Sequence, residues 1–394
     1  MKRICGLETE CGVIVPEPDQ NKTINDLCRD SRYALCTVPE KNPERARTHL
    51  ANGGQNYVDV CALELTTPEC QNARELTIYE AAIARAMSGI VPPNVRVIKK
   101  NIDSDQLSTG CHENYHGKHL IGQQALSLQS IREQITGFLA TRIIFTGAGH
   151  FTQDKYYLSG RALATKNAAI LGAKDFFSPR AGEDFSNTGI RIHITSGDSN
   201  MSEYTNLLKI GTTAIMVTLA ENAALSKEFQ LKDPLTALHL TNFHGPKAKI
   251  SLTDGTKITA LDYQILLCRK ASAFFEEYTE LLDSTTQYVL EQWRWVLECL
   301  KKNPLQLNRH IDWVIKKWLI DAPTKWTPEE IDVNYHLLSP HGIYYQLLNA
   351  GSLARIATEA QLDQAILFPP PTRAERRVKK LLLLPPELIR SITW

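Results

Sequence analysis

Hydrophobic and polar residues alternate strictly over residues 191–195. Two isoleucines there alternate with Arg191 and His193, and this period of two is typical of a strand with one apolar and one polar face. The turn-forming residues 197–200 end the strand, and a helical pattern follows over 201–210. Two cationic side chains on one strand face could hold phosphate, but an amphipathic strand with a solvated face has the same pattern.

Several other segments in the first half of the chain have strand-like patterns, and helical segments separate them. The predicted strands are 4–15, 57–65, 95–99, 110–116 and 191–195, and the clearest predicted helices are 76–88 and 126–147. Parallel strands that are buried on both faces would be more uniformly apolar than these. The alternation therefore favours a mainly antiparallel sheet packed on helices, which is an α+β fold.

The second half of the chain has a helical pattern. Apolar residues recur at spacings of three and four from 261 to 300, which predicts an amphipathic helical region. Further helices are predicted at 310–319 and 327–338. Prolines at 369–371 end this region, and a basic stretch follows at 373–380. That stretch could bind phosphate, but it is also typical of a solvated helix face.

The composition is that of an ordinary globular protein and excludes some classes of function. The chain has 394 residues and a formal net charge of +1, so we expect no nucleic-acid partner. No apolar run reaches the length of a membrane span, and no signal peptide precedes the first strand, so we expect a cytoplasmic protein without a membrane partner. The nine cysteines form no CxxC pair, which argues against a disulfide framework or a zinc site.

Carboxylates and imidazoles recur at matching positions of the predicted strands. Residues two apart in a strand share a face. This pairs Glu8 with Glu10, Tyr57 with Asp59, His112 with Asn114, and Arg191 with His193. Clusters of carboxylates with an occasional imidazole suit Mg²⁺ or Mn²⁺ that binds substrate phosphates. One such pair alone is typical of a solvated strand face, whereas all of them together predict a metal–nucleotide site.

The motifs in these segments resemble those of the Pup–protein ligase and depupylase family, within the glutamine-synthetase-like carboxylate–amine ligases. The resemblance runs from Arg3 to Arg377. The segments that carry it are GLETECGV (6–13), YVDV (57–60), TPEC (67–70), KNIDS (100–104), GCHENY (110–115), GAG (147–149), LSGR (158–161), GDSNMSE (197–203), IDWVIK (311–316) and TRA (372–374).

The resemblance implies a curved antiparallel sheet that holds a nucleotide and divalent metal ions. The implied metal ligands are Glu8, Glu10, Tyr57, Glu64, Glu69 and His193. The implied nucleotide contacts are Arg161, Arg180, Arg191, His112, Asn114, Ser199, Asn200 and Arg373, with the turn at 197–200 on the rim of the site. The implied catalytic residues are Asp59, which acts as the base, and Arg191.

The family's reaction needs ATP because a carboxylate does not condense with an amine in water. Phosphorylation makes an acyl phosphate, Mg²⁺ or Mn²⁺ clamps the phosphates, and arginines stabilise the transferred group. In the Pup ligases the activated group is the γ-carboxylate of a terminal glutamate and the nucleophile is a protein lysine, which must lose a proton. The implied carboxylate donor is a small Pup-like protein, a peptide or a glutamate-type metabolite. The implied acceptor is a protein lysine, a peptide or a small amine.

Two alternatives to ligation remain open. One is a depupylase-like amidase that uses bound nucleotide as a cofactor, and the other is a non-catalytic relative that kept the fold. Region 16–50 lacks the extended loop of the depupylases, which favours the ligase. A decayed site would lose its costly charges first, so the retained carboxylates argue against the non-catalytic relative.

The expected domain organisation is one catalytic domain over 1–377, with a sheet-rich part at 1–215 and a helix-rich part at 260–365. Residues 378–394 are expected to be a short remnant of the family's small C-terminal domain. The segment after Asp59 also departs from the family, because it is shorter and lacks the family's His-Pro pair. These departures leave the identities of both substrates open.

Overall fold

An antiparallel sheet forms the centre of the structure, which is a computed structural model. It describes residues 3–15, 20–29, 34–39, 46–59, 62–102, 108–117, 128–166, 175–178, 184–185, 189–225 and 227–384. The strands are β1 (Cys5–Ile14), β2 (Ala34–Pro39), β3 (Ala46–Leu50), β4 (Gln55–Asp59), β5 (Ala62–Thr66), β6 (Arg96–Ile98), β7 (Cys111–Gly117), β8 (His150–Thr152), β9 (Lys155–Tyr157), β10 (Asp184–Phe185), β11 (Gly189–Gly197), β12 (Lys249–Ser251) and β13 (Lys257–Thr259).

Helices make up most of the remaining described residues. They are α1 (Gln20–Arg29), α2 (Ala73–Ser88), α3 (Leu128–Thr141), α4 (Ile143–Thr146), α5 (Gly160–Ala164), α6 (Glu203–Glu221), α7 (Pro234–His244), α8 (Ala260–Glu277), α9 (Ser284–Lys302), α10 (Asp312–Asp321), α11 (Pro328–Tyr335), α12 (Ile343–Asn349), α13 (Glu359–Leu367) and α14 (Arg373–Leu383). Short 3-10 helices lie at Lys227–Phe229, Gly245–Lys247, Thr279–Leu281 and Pro304–Leu307.

The main sheet has the strand order β10-β11-β7-β1-β5-β4-β3-β2, and β6 pairs with the end of β1. Neighbouring strands in it are antiparallel. The structure therefore confirms the predicted α+β class with a mainly antiparallel sheet. The strands predicted at 4–15, 95–99, 110–116 and 191–195 are present as β1, β6, β7 and β11.

One face of the sheet packs on the helical core. Ile192 and Ile194 of β11 are fully buried there, together with Leu7 of β1 and residues of α3 and α6. Every residue of α6 is buried, and the hydroxyl of Ser202 caps the helix by accepting a hydrogen bond from the Thr205 amide. Because side chains alternate along a strand, Arg191 and His193 face the opposite, polar side.

The single strand predicted over 57–65 is wrong, since the structure forms a hairpin there. β4 and β5 pair antiparallel, with Asp59 opposite Ala62 and Tyr57 opposite Glu64. The sequence contains the signal for this reversal. The polar residues Tyr57 and Asp59 are odd-numbered whereas Glu64 is even-numbered, so they could not share a face of one continuous strand.

Two long helical predictions also divide in the structure. The helix predicted over 126–147 forms α3 and α4, and the apolar stripe over 261–300 forms α8 and α9. The core side of the stripe is nevertheless as predicted, because Trp293 is fully buried against Phe138 and Phe145. No helix among the described residues is long and apolar enough to cross a membrane.

Candidate active site

The polar face of the sheet presents a row of side chains that lie directly opposite one another on adjacent strands. Arg47 of β3 pairs with Tyr57 of β4, Tyr57 with Glu64 of β5, and Glu64 with Glu10 of β1. Directly opposite residues in antiparallel strands have their side chains on the same face, within contact distance. Strand register alone therefore brings these four side chains together.

A second row lies beside the first on the same face. Glu8 of β1 is opposite Thr66 of β5 on one side and His112 of β7 on the other. Further along β7, Asn114 is opposite His193 of β11. The residue pairs that were predicted on separate strands are thus neighbours on one face of one sheet.

Glu10 and Glu64 of the first row form a group of three carboxylates with Asp59, the last residue of β4. One oxygen from each lies within 4.8 Å of the others. Tyr57 donates its hydroxyl hydrogen to Glu64 Oε1 at 2.7 Å, so Tyr57 supports this group through Glu64. Burial and the nearby negative charge of Glu8 raise the pKa of Glu64 to about 8, despite the hydrogen bond from Tyr57. A cation between the carboxylates would remove this repulsion.

The second group consists of Glu8, His112 and His193, whose ligand atoms also lie within 4.8 Å of one another. Glu8 Oε2 is 3.5 Å from His112 Nδ1 and 3.7 Å from His193 Nε2. His112 Nε2 in turn lies 3.8 Å from Glu10 Oε1. His112 therefore lies between the two groups, which together form a continuous set of nitrogen and oxygen donors.

His193 is held in the tautomer that a metal ligand needs. Its Nδ1 lies 2.9 Å from the carbonyl oxygen of Ser178, and because a carbonyl can only accept, Nδ1 carries the hydrogen. Burial lowers the pKa of His193 despite the nearby Glu8, so the ring is neutral and Nε2 presents a lone pair. Fixing the second ring nitrogen in this way is typical of metal-bound histidines.

Buried polar atoms in both groups lack hydrogen-bond partners among the described residues. These atoms are both ring nitrogens of His112, Nε2 of His193 and Oε2 of Glu64. Such atoms are costly to bury unless something else binds them. Carboxylate oxygens with a minority of imidazole nitrogens fit a divalent cation such as Mg²⁺ or Mn²⁺.

Glu8 is kept ionised by cationic and hydrogen-bonding neighbours. Its Oε1 accepts hydrogen bonds from Arg191 Nη2 at 2.8 Å and from Asn114 Nδ2 at 3.3 Å, while Arg191 Nε donates to Asn114 Oδ1 at 2.8 Å. Although burial opposes it, the adjacent imidazoles of His112 and His193 and the charge of Arg191 hold the pKa of Glu8 well below its usual range.

A cleft of about 1020 Å³ opens over this polar face and is large enough for a nucleotide. Glu8, Arg47, Tyr57, Asn114, Arg191 and Arg373 contribute to its lining. Its far wall is α14, which carries Arg373 and Arg377. The cleft thus has Glu8 of the second donor group in its lining, together with the basic residues of α14.

Glu69 lies at that wall and in neither donor group. Its Oε2 accepts from Arg377 Nη2 at 2.6 Å, and its Oε1 is 3.3 Å from Arg373 Nη2. Arg377 also donates to the carbonyl oxygen of Gly53 at 2.9 Å. These contacts anchor α14 to the sheet, and the expected domain boundary at 377 falls inside this helix.

The remaining predicted nucleotide contacts lie elsewhere. The turn at 197–200 is fully buried rather than on the rim, because Asp198 accepts from the backbone amides of Ala148 and Arg161 at 2.7 and 3.0 Å. Ser199 and Asn200 are 0% exposed. Arg161 is also buried and donates to the carbonyl oxygen of Thr195 at 3.0 Å. Arg180 lies outside the described residues.

The sequence reasoning missed two cationic residues of the cleft, Arg47 and Arg377. Arg47 lies on β3, a strand that no prediction included. The segment 47–50, in which Arg47 and His49 alternate with Thr48 and Leu50, is too short to identify a strand. The Asn-Gly-Gly turn at 52–54 is nevertheless a hairpin signal that precedes β4. Arg377 lies in the basic stretch already singled out, but its partner Glu69 is distant in sequence.

Known proteins resemble this chain along most of its length. A family model described as Pup-ligase protein matches residues 3–394. A Pup–protein ligase of Nakamurella multipartita is 30% identical over 413 residues, which cover 95% of this chain and 88% of the relative. A depupylase of Acidothermus cellulolyticus is 28% identical over 465 residues, which cover 100% of this chain and 90% of the relative.

A solved structure supports the same fold. The Pup ligase PafA in complex with ADP superposes with a TM-score of 0.75 at 24% identity, and the match covers 94% of this chain and 84% of that one. The chain therefore shares the fold of a nucleotide-bound ligase.

Proposed function

The chain belongs to the Pup-ligase family, and on this premise we propose that it is an ATP-dependent carboxylate–amine ligase. Its donor would be a carboxylate of a Pup-like protein, and its acceptor an amine, such as a protein lysine. The observation that carries this proposal is the joined pair of donor groups, Glu10–Asp59–Glu64 and Glu8–His112–His193, beside a cleft whose lining includes Glu8 and several arginines.

The donor groups fit the divalent cations that ATP brings with it. Glu8, Glu10, Glu64 and His193 would hold Mg²⁺, with Tyr57 supporting Glu64 through its hydrogen bond. When bound, the cation neutralises charge on the nucleotide phosphates. Arg191 is oriented by Glu8 and Asn114, and its exposed edge can stabilise negative charge on the group that is transferred.

The surroundings of Asp59 support its role as the base. It lies at the end of β4, half-buried, with its carboxylate beside those of Glu10 and Glu64. The neighbouring negative charges attract an ammonium group and favour its approach. Asp59 accepts the proton as the amine nitrogen attacks the acyl carbon and inorganic phosphate leaves. The chain's own residues thus supply binding, orientation and a proton acceptor.

A second candidate function is favoured by the similarity to a depupylase, which is 28% identical over the whole chain. In that case Asp59 would activate a water molecule that attacks an isopeptide bond, and the nucleotide would not be consumed. The same donor groups and the same base serve both reactions.

Substitution of Asp59 tests the proposal. We expect Asp59→Asn to bind ATP as the unmodified protein does, because the four proposed cation ligands are unchanged, but to lose amide formation by about 10²-fold or more. Calorimetry with Mg²⁺-ATP measures the first property, and mass spectrometry of the donor–acceptor conjugate measures the second. The exposed Asp254 of the β12–β13 turn gives the matched control, Asp254→Asn. Normal conjugate formation by Asp59→Asn would contradict the role of Asp59.

A further inference from the structure

Arg47 lies in the same sheet row as Glu64 of the first donor group, with Tyr57 between them. Its guanidinium carbon is 3.9 Å from the centre of the Tyr57 ring, and its Nη1 donates to Gln55 Oε1 at 2.7 Å. The side chain is half-buried and lines the cleft. We propose that Arg47 binds the terminal phosphate of ATP and stabilises the phosphoryl group during transfer. This inference rests on the proposed function.

The sheet register directs Arg47 to this position. Arg47 is directly opposite Tyr57, and Tyr57 is directly opposite Glu64. The Tyr57 hydroxyl, at the far end of the ring beneath Arg47, donates to Glu64 Oε1 at 2.7 Å. An anion bound to a cation at Glu64 would therefore lie on the same face of the sheet as Arg47.

The contacts of Arg47 fix its orientation before any ligand arrives. Stacking on an aromatic ring sets the plane of the guanidinium, and the Gln55 hydrogen bond sets its rotation within that plane. A charge that is already oriented toward the reacting group costs no reorganisation when charge develops in the transition state.

Phosphate is the anion that this geometry favours. A guanidinium presents parallel N–H groups that match two oxygens of a phosphate. In the transfer, an oxygen of the donor carboxylate forms a bond to the terminal phosphorus, and the bond from that phosphorus to the bridging oxygen of ADP breaks. ADP leaves with the electron pair of that bond. Arg47 would bind the equatorial oxygens throughout and exchange no proton.

Two substitutions of Arg47 separate charge from geometry. Arg47→Met removes the charge but keeps an apolar stem over Tyr57, and Arg47→Lys keeps the charge but loses the planar fork. The control is Arg96→Met, because Arg96 is exposed and donates to Asn334 Oδ1, away from the cleft. Thermal unfolding of each variant shows whether it is folded.

The readout is the dissociation constant for Mg²⁺-ATP compared with that for Mg²⁺-ADP, together with kcat and the KM of the donor. For Arg47→Met we expect ATP affinity to fall about tenfold or more, ADP affinity to change less than about threefold, and kcat to fall about 10²-fold. The ATP affinity and kcat of Arg47→Lys should lie between those of Arg47→Met and those of the unmodified protein.

Three results would overturn the inference. ATP and ADP affinities could fall equally, both could stay unchanged, or only the donor KM could rise, which would assign Arg47 to the carboxylate donor. In each case the unmodified protein would still bind ATP and form conjugate, so the proposed function would stand. If the unmodified protein bound no ATP, the proposed function and this inference would both be wrong.

Discussion

Glu8 on β1 accepts a hydrogen bond at 2.8 Å from Nη2 of Arg191 on β11. The strand β7 lies between these two strands, so the contact extends across a complete strand and passes beside Asn114. It fixes one oxygen of Glu8 and leaves the other facing His112 and His193. Arg191 therefore orients a carboxylate that the proposed cation site requires.

Glu8→Gln should weaken binding of divalent cations and of Mg²⁺-ATP. The amide keeps the shape of the side chain but has no charge, and a cation prefers an ionised oxygen ligand. We expect the affinity for Mn²⁺, measured by calorimetry, to fall about tenfold or more, with ATP affinity falling in parallel. The control is Glu329→Gln, because Glu329 is exposed at the start of α11. Unchanged Mn²⁺ affinity in Glu8→Gln would exclude Glu8 as a ligand.

Glu113 and His112 are adjacent on β7, but substitution of Glu113 should reduce stability whereas substitution of His112 should reduce metal binding. Glu113 faces the core, fully buried, and forms a two-point ion pair with the buried Arg142, whereas His112 faces the donor groups. Glu113→Gln leaves a buried charge without its partner, so we expect the free energy of unfolding to fall by about 3–5 kcal/mol.

His112→Asn should weaken metal binding but leave the stability of the fold almost unchanged. Its ring nitrogens have no hydrogen-bond partner among the described residues, so we expect stability to change by about 1 kcal/mol or less while Mn²⁺ affinity falls. Urea unfolding and calorimetry measure the two quantities. Equal losses of stability in the two variants would contradict the division of β7 into a core face and a site face.

The buried Glu64 should make the metal-free protein less stable as pH rises. Burial and the charge of Glu8 raise the folded-state pKa of Glu64 to about 8, above its value in the unfolded chain. Between the two pKa values the folded state binds more protons than the unfolded state, so stability falls with rising pH. From pH 7 to 8 we expect a loss of about 1 kcal/mol.

Glu64→Gln supplies the comparison for this effect. Its amide does not titrate, so the loss of stability between pH 7 and 8 should disappear when unfolding is measured in the presence of a chelator. Saturating Mg²⁺ should also reduce the loss in the unmodified protein, because the cation replaces the proton. The same pH slope in Glu64→Gln would show that another group causes it.

Local alternation predicted much of the sheet and of its polar face. Ile192 and Ile194 enter the core while Arg191 and His193 turn to Glu8, because the direction of a strand side chain depends only on its parity. The register between strands could not be predicted in this way. The contact of Tyr57 with Glu64 depends on the β4–β5 reversal, which the prediction of one continuous strand missed.

Long-range pairing explains the other differences. Glu69, predicted as a metal ligand, instead pairs with Arg377 on α14, and nothing in either local pattern indicates that partner. Ser199 and Asn200 were expected on the rim, but Asp198 beside them binds backbone amides in the interior. A polar turn can satisfy buried amides as well as a ligand, and sequence alone does not distinguish the two.

The number of ADP molecules formed per amide bond distinguishes ATP-dependent ligation from hydrolysis. The unmodified protein is mixed with Mg²⁺-ATP, a Pup-like donor ending in glutamate and an amine acceptor, and both ADP and conjugate are quantified over time. We expect one ADP for each bond formed, and no conjugate without ATP. Conjugate formed without ADP, or loss of a preformed conjugate without net ADP formation, would contradict ligation through an acyl phosphate.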